Sequence, residues 1–545
     1  MRHEIYSAVL LTVHIFRVDD GGIVDKINLL AFSRSLGDAL DGGVNPAELV
    51  DLLAHVIDGA DAISHEEALV CSIEISAKIV EKADAVDACL LHYHASNAWS
   101  SLQGIRHKGK ALWSWEQPEL LNQILSLRKA VQHPGFADQP SFRRAQIYCN
   151  LGNALNHAGR FVDALADWRL ALWEQPVLGM ARGNLGIGLT VYGRSLYDGG
   201  HTYWFLRAAR KEFMTAIAGG VGRDGSTFPE ALEGFEQYLL DVEHQLSFYD
   251  VADDETLGEF SLGKGKREQR YRRWCLDQTL FLNPMNDLGP DSVAANDTLS
   301  VPSHCVEGAG ITYRAFFNQL VQEYTYARWC LFDGSSTDSL HFADRDVGLA
   351  YNADLTHYSI GLEQVKTAFR CAYSLLDKVA YFINKYWNLK VDERSVYFHS
   401  IWYEDTKGKQ PRKIRPEFET SENLPLRGLF WIAKDIFDPS MQTVASPAAK
   451  QLKALRNHLE HKFVKVVAVN IEVENENELF QDHLAHRISR DELVDRSEHI
   501  LKLSRSALIY LSMAMHVEER RKLKDEDMGK RGAMDMGLYP DDLKV

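Results

Sequence analysis

Apolar residues along most of the chain recur at steps of three and four, the period of a helix that buries one side. Strand-like alternation is scarce. Helical stretches alternate with short breakers such as Asp41-Gly42-Gly43. Near the N-terminus, helices are expected over about Val24–Leu40, Pro46–Ile57 and Ser64–Lys82, the third opening on Ser64-His65-Glu66-Glu67 as a capping box. The pattern predicts an all-α fold.

A repeat emerges from about Ala83. Its clearest copy, Ala145–Pro176, resembles a tetratricopeptide repeat. Tyr148, Leu151-Gly152 and Leu155 lie on its first helix, Gly159 at the turn, and Ala164, Trp168 and Ala171 on its second. Small residues at Gly152, Ala164 and Ala171 let the two helices approach, while Tyr148 and Trp168 fill the space between units. A second copy carries Leu185-Gly186, Leu189 and Gly193, then Ala209, Phe213 and Ala216 after an insertion around Tyr197–Tyr203. A weaker copy precedes the first, over Asp84–Leu102 and Glu119–Val131. So few units need caps, which the flanking helices are expected to supply. Such an array is an interaction surface, and its partner is not legible.

Downstream, Phe228–Val242 reads as a helix, and Gly263–Gln278 carries a basic run that includes Arg270 and Arg273, interleaved with Tyr271 and Trp274. A run of this kind suits a phosphate backbone, or simply a solvated helix face. Leu282–Pro290 has turn chemistry. Tyr313–Phe332 is helical. Long helices follow over Asp354–Trp387, Pro425–Phe437, Pro447–Val464 and Asp491–His516, with a polar excursion at Asp392–Asn423 and an acidic interruption at Glu472–Gln481. The excursion holds a second basic cluster with Lys407, Lys409, Arg412 and Lys413. Four long helices predict a four-helix bundle. The organisation expected is a capping region at 1–82, repeats at 83–220, a connecting region at 221–345, the bundle at 346–516 and a charged tail at 517–545.

Composition narrows the functions. A net charge of −16 argues against general coating of nucleic acid, so any RNA must meet a locally basic cleft. The seven cysteines are scattered, form no C-x-x-C pair, and read as reduced core residues of a cytoplasmic protein. The apolar run Ala8–Phe16 is short, carries His14 and lacks a small-residue cleavage site, so neither a signal peptide nor a membrane span is expected. No nucleotide loop or hydrolase triad is found, and no cofactor or metal is expected. His483 and His486 are three apart but lack a third ligand.

The chemistry concentrates in Leu455–His461. Ser446-Pro447 caps the helix, and Ala448, Leu452, Leu455, Leu459 and Phe463 form its buried stripe. At about 100° per residue, Asn457 and His461 share a face pointing away from that stripe, with Arg456 at its edge. A histidine moves protons near neutral pH, and an arginine fork holds a phosphate and the charge that develops on it. On spacing alone, the ordinary reading is a solvated face on a core helix.

A late helical bundle bearing Arg456-Asn457-x-x-x-His461 resembles a HEPN domain. The segments Arg273–Asp287, Phe317–Trp329, Asn423–Asp438 and Leu455–Phe463 resemble the LA2681-like HEPN family more narrowly. The resemblance implies a metal-independent endoribonuclease that works as a homodimer, leaves a 2′,3′-cyclic phosphate, and serves defence or toxin–antitoxin biology. Arg456, Asn457 and His461 would be its catalytic residues. Lys407, Lys409, Arg412, Lys413, Arg270 and Arg273 would contact RNA. The array would receive an unidentified protein or ligand trigger, and no membrane is involved. The alternative is a non-catalytic scaffold in which the bundle only dimerises.

Overall fold

The computed structural model describes residues 26–220, 227–251, 256–302, 310–336, 339–350, 356–404, 412–442, 446–467, 485–525 and 539–544. The run Ala8–Phe16, Lys407, Lys409, the acidic stretch Glu472–Gln481 and His483 lie outside the described residues.

The fold is all-α, a helical solenoid leading into a helical bundle. Helices α1 (Lys26–Asp41), α2 (Pro46–Ala62) and α3 (Glu66–Val80) pack with α4 (Ala85–Arg106) around a core of Leu29, Leu53, Leu69, Leu91 and their neighbours. The Asn45 side chain caps α2. The capping box expected at Ser64 does not form. Ser64 adopts a left-handed backbone (φ 52°), and His65 takes the cap position without a side-chain bond.

The next helices follow as packed pairs: α4 with α5 (Pro118–Gln132), α6 (Ser141–His157) with α7 (Phe161–Glu174), and α8 (Gly179–Ser195) with α9 (Gly199–Gly219). Gly152 is what allows α6 and α7 to close. A Cβ there would stand 2.6 Å from the Trp168 ring, which is buried and donates to Asn153 Oδ1 at 2.9 Å. The insertion after Ser195 is absorbed as extra turns of α9, whose first turn is capped by Asp198 accepting from His201 N at 2.8 Å. Helix α10 (Pro229–Leu246) packs on α9, and α11 (Lys266–Asp277) follows.

The bundle joins α12 (Gly310–Ser335), α13 (Ile360–Tyr386), α14 (Leu424–Phe437), α15 (Ser446–His461) and the long α16 (Arg490–Asp525). Helices α12 and α13 lie along each other, and α16 packs against α12, α13 and α14. Where the helix of α15 was expected to run on to Val464, the chain turns into a strand. β1 (Phe463–Val467) pairs in parallel with β2 (Ala485–Ser489), from Phe463↔Ala485 to Val467↔Ser489. The valines of β1 favour this choice, because β-branched residues pack well on a pleated surface. They bury Val464, Val466 and Val467.

Array and bundle share one continuous core that runs from Cys89 to Met515. Several polar contacts fasten them. Tyr510 OH accepts from Val162 N and donates to Asp163, both at 3.0 Å. Arg128 grips both oxygens of Asp435, at 2.6 and 2.8 Å. Asp287 accepts from Arg505 at 2.8 and 2.9 Å and from Tyr192 OH at 2.8 Å, while Arg169 donates to its carbonyl. At Gly159 (φ 87°) the backbones themselves touch: a Cβ there would lie 2.6 Å from the Leu424 carbonyl, and one on Gly428 would lie 2.5 Å from the Gly159 carbonyl. Among the described residues no helix is long and apolar enough to cross a membrane.

Candidate active site

Helix α15 buries Leu452, Leu455 and Leu459 against the bundle, as its stripe predicts. Its other side meets a cleft of about 810 Å³. Helix α13 supplies Tyr373 and Asp377 to the walls. Helix α14 supplies Phe430, Lys434 and Phe437, the polar excursion supplies Tyr397–Tyr403 and Arg412, and the array supplies Glu116. Trp402 and Phe430 are fully buried in the floor.

Arg456 and Asn457 line this cleft. The Arg456 guanidinium lies over the Tyr373 ring, 5.7 Å from its centre, and its Nη1 is 3.5 Å from Asn457 Oδ1. Asn457 is half-buried rather than turned to solvent, because the excursion and the end of α14 form a wall opposite it. His461 is exposed at the last turn of α15 and does not line the cleft. One chain therefore brings Arg456 and Asn457 together and leaves His461 on the open surface one turn away. His458 faces elsewhere, with Nδ1 2.7 Å from the Ala454 carbonyl and its ring 5.0 Å from that of His486.

Of the basic residues, Arg412 stands in the cleft, 5.6 Å from the centre of the Tyr403 ring. Lys413 is exposed, 3.9 Å from Glu404. Arg270 and Arg273 sit exposed on α11 and do not line the cleft, and Arg273 donates to the Pro290 carbonyl at 3.2 Å.

The structure adds residues that the sequence did not single out. Asp377 Oδ1 accepts from Phe398 N at 3.0 Å. Burial pushes its carboxyl above the usual carboxylate range, against the opposing pull of that N–H and of Arg456. His399 lines the cleft, with its ring 5.6 Å from Tyr397 and 5.3 Å from Phe437. Glu116 accepts from Lys434 at 2.6 Å and from Tyr403 OH at 2.9 Å. Burial first, and then the charge of Glu116, push the Tyr403 hydroxyl well above its ordinary range. With Lys434 neutralised in this way, Arg412 and Arg456 are the lining cations that form no ion pair among the described residues. No group of three or more metal-ligating side chains gathers among the described residues.

Residues 307–518 match the LA2681-like HEPN family. The matched HEPN segment takes in α12 through most of α16, and so both elements that carry the cleft's helical walls and the helix that carries Arg456. No curated protein and no solved structure matches the chain.

Proposed function

We propose that this protein is a metal-independent endoribonuclease whose HEPN site is completed when two copies of the chain meet at α15. The observation that carries the reading is the division within α15: Arg456 and Asn457 line a cleft, while His461 stands exposed beside it. A histidine facing solvent next to a phosphate-binding arginine is placed to serve a strand lying across the surface.

The reaction is attack of a ribose 2′-oxygen on the adjacent phosphorus. The 2′-O–P bond forms and the P–O5′ bond breaks, giving a 2′,3′-cyclic phosphate and a free 5′-OH. The proton of the 2′-OH goes to a base and the leaving oxygen takes one from an acid. His461 and its copy in the second chain fill these two roles. Arg456 neutralises the charge that builds on the phosphoryl oxygens, and Asn457, within reach of Arg456, holds the guanidinium or the phosphate in register. The array acts as the receiver of a trigger, since it enters the site through Glu116.

The test is incubation of the full chain with total RNA in EDTA, with the new 5′ ends tested for a free hydroxyl. Cutting that survives chelation and is lost in Arg456→Ala and His461→Ala, with the dimer intact, is the expected result. Cutting that stops on chelation overturns the mechanism. RNA left whole by the wild type under every trigger tried favours an interaction scaffold.

A further inference from the structure

Holding one scissile phosphate does not need a cleft of about 810 Å³ walled by aromatic rings. Its size falls within the range of about 300–1,000 Å³ typical of small-ligand sites. Its floor is apolar, with Trp402 and Phe430 buried, so it favours a flat, poorly hydrated group. Its rim carries stacking faces. Tyr397 is 46% exposed and lies nearly parallel to the His399 ring, at 24° and 5.6 Å. Two guanidinium groups stand over tyrosine faces on separate elements, Arg412 over Tyr403 at 5.6 Å and Arg456 over Tyr373 at 5.7 Å.

Rings that stack with any π-face, joined to arginines that fork onto phosphate, are what an unpaired nucleotide needs. An acidic peptide would use the arginines but leave the rings without a partner. A duplex cannot offer a base, because its bases are already stacked.

We infer that the cleft is a subsite for one unpaired nucleotide of an RNA strand, its base against the Tyr397, His399 and Tyr403 rings and its phosphates on Arg412 and Arg456. This rests on the ribonuclease reading of Arg456. It makes the enzyme selective for single-stranded RNA, with the strand entering beside residues of the polar excursion.

The experiment uses a short single-stranded RNA carrying 2-aminopurine, with its 2′-hydroxyls methylated so that it cannot be cut. Stacking in the cleft quenches the probe. Binding with quenching by the wild type is expected, along with neither for the duplex form. The variants Arg412→Glu and Tyr397→Ala change exposed side chains, and circular dichroism checks their fold. Each is expected to weaken binding about tenfold or more and to lose the quench. Variants that bind and quench like the wild type overturn the subsite. So does a free 5′-mononucleotide that competes at the same concentration as the oligonucleotide, which would make the cleft a site for a soluble effector. The two readings fail separately. Quenched binding with no cutting of any RNA sinks the nuclease and keeps the subsite, whereas cutting at unchanged KM by Arg412→Glu does the reverse.

Discussion

Replacing Asp287 by alanine should be among the most damaging single changes in this chain away from the cleft. Asp287 and Arg505 are 5% and 3% exposed, and their pairing joins the connecting region to α16. The alanine variant leaves the Arg505 guanidinium in the core with the Phe281 carbonyl at 2.7 Å as its main remaining acceptor. Removing one partner of a buried ion pair costs about 3–5 kcal/mol. Tyr192 OH, also fully buried, loses its acceptor, and an orphaned buried donor costs about 1–3 kcal/mol. The two costs share an origin and do not fully add, so about 4–6 kcal/mol is expected, a large part of the roughly 5–15 kcal/mol that holds a typical folded chain together. Breaking the exposed Arg194–Asp241 pair, 42% and 46% exposed, should cost at most about 1 kcal/mol. Urea unfolding followed by tryptophan fluorescence reads both. The double variant Asp287→Leu/Arg505→Met removes both charges and should regain most of the loss. A shift below about 1 kcal/mol for Asp287→Ala would refute the argument, because the guanidinium would then have found water or another acceptor.

Four further outcomes follow from the structure. Arg456→Ala and His461→Ala should each lower RNA cutting by about 10²-fold or more in single-turnover assays, without moving the thermal midpoint by more than a few degrees. Arg427→Met should raise that midpoint: the guanidinium is 3% exposed, faces the Trp113 ring at 5.9 Å but makes no hydrogen bond among the described residues, and is pulled down to about 10 by burial, so a fall instead would show that a cation is needed there. Burial pulls His92 and His157 down to about 4, so the unfolded chain binds more protons than the folded one between pH 4 and 6.5. Stability from these two is full above about pH 6.5 and falls by up to about 1.4 kcal/mol per pH unit for each as pH drops toward 4. His157→Gln should flatten that slope in urea titrations at a series of pH values, and an unchanged slope would contradict the burial argument. Gly159→Ala, at φ 87° and against the Leu424 carbonyl, should loosen the seam between array and bundle and speed proteolysis there, whereas unchanged digestion would show that the seam tolerates the shift.

The fold was legible where burial is one-sided and periodic. The leucines of α15 and the close approach of α6 and α7 at Gly152 could be read from spacing, because a helix repeats its faces. β1 was not legible, since its few β-branched residues follow a helix without a break that periodicity registers. The turn chemistry of Leu282–Pro290 was visible, but the burial of Asn283 and Asp287 was not, because their partners His201, Arg505 and Tyr192 are remote in sequence. The site divides in the same way. Arg456, Asn457 and His461 share one helix and one spacing. Glu116, Asp377 and His399 come from three separate stretches, and only the packed chain brings them to one cleft. That Asn457 is half-buried also depended on a wall the helix itself does not encode.

The backbone contact between Gly159 and Gly428 limits how this protein can be taken apart. Two segments that meet glycine to glycine leave no side chain to absorb a change of angle, and the wall of the cleft borrows Glu116 from the far side of the same seam. The bundle is therefore not a portable cartridge. Grafted onto another receiver, it would bring its arginines but lose the carboxylate that positions Lys434 and Tyr403. Diversification of such proteins should then proceed by altering the two halves together, with substitutions at 116, 159, 403, 428 and 434 tracking one another.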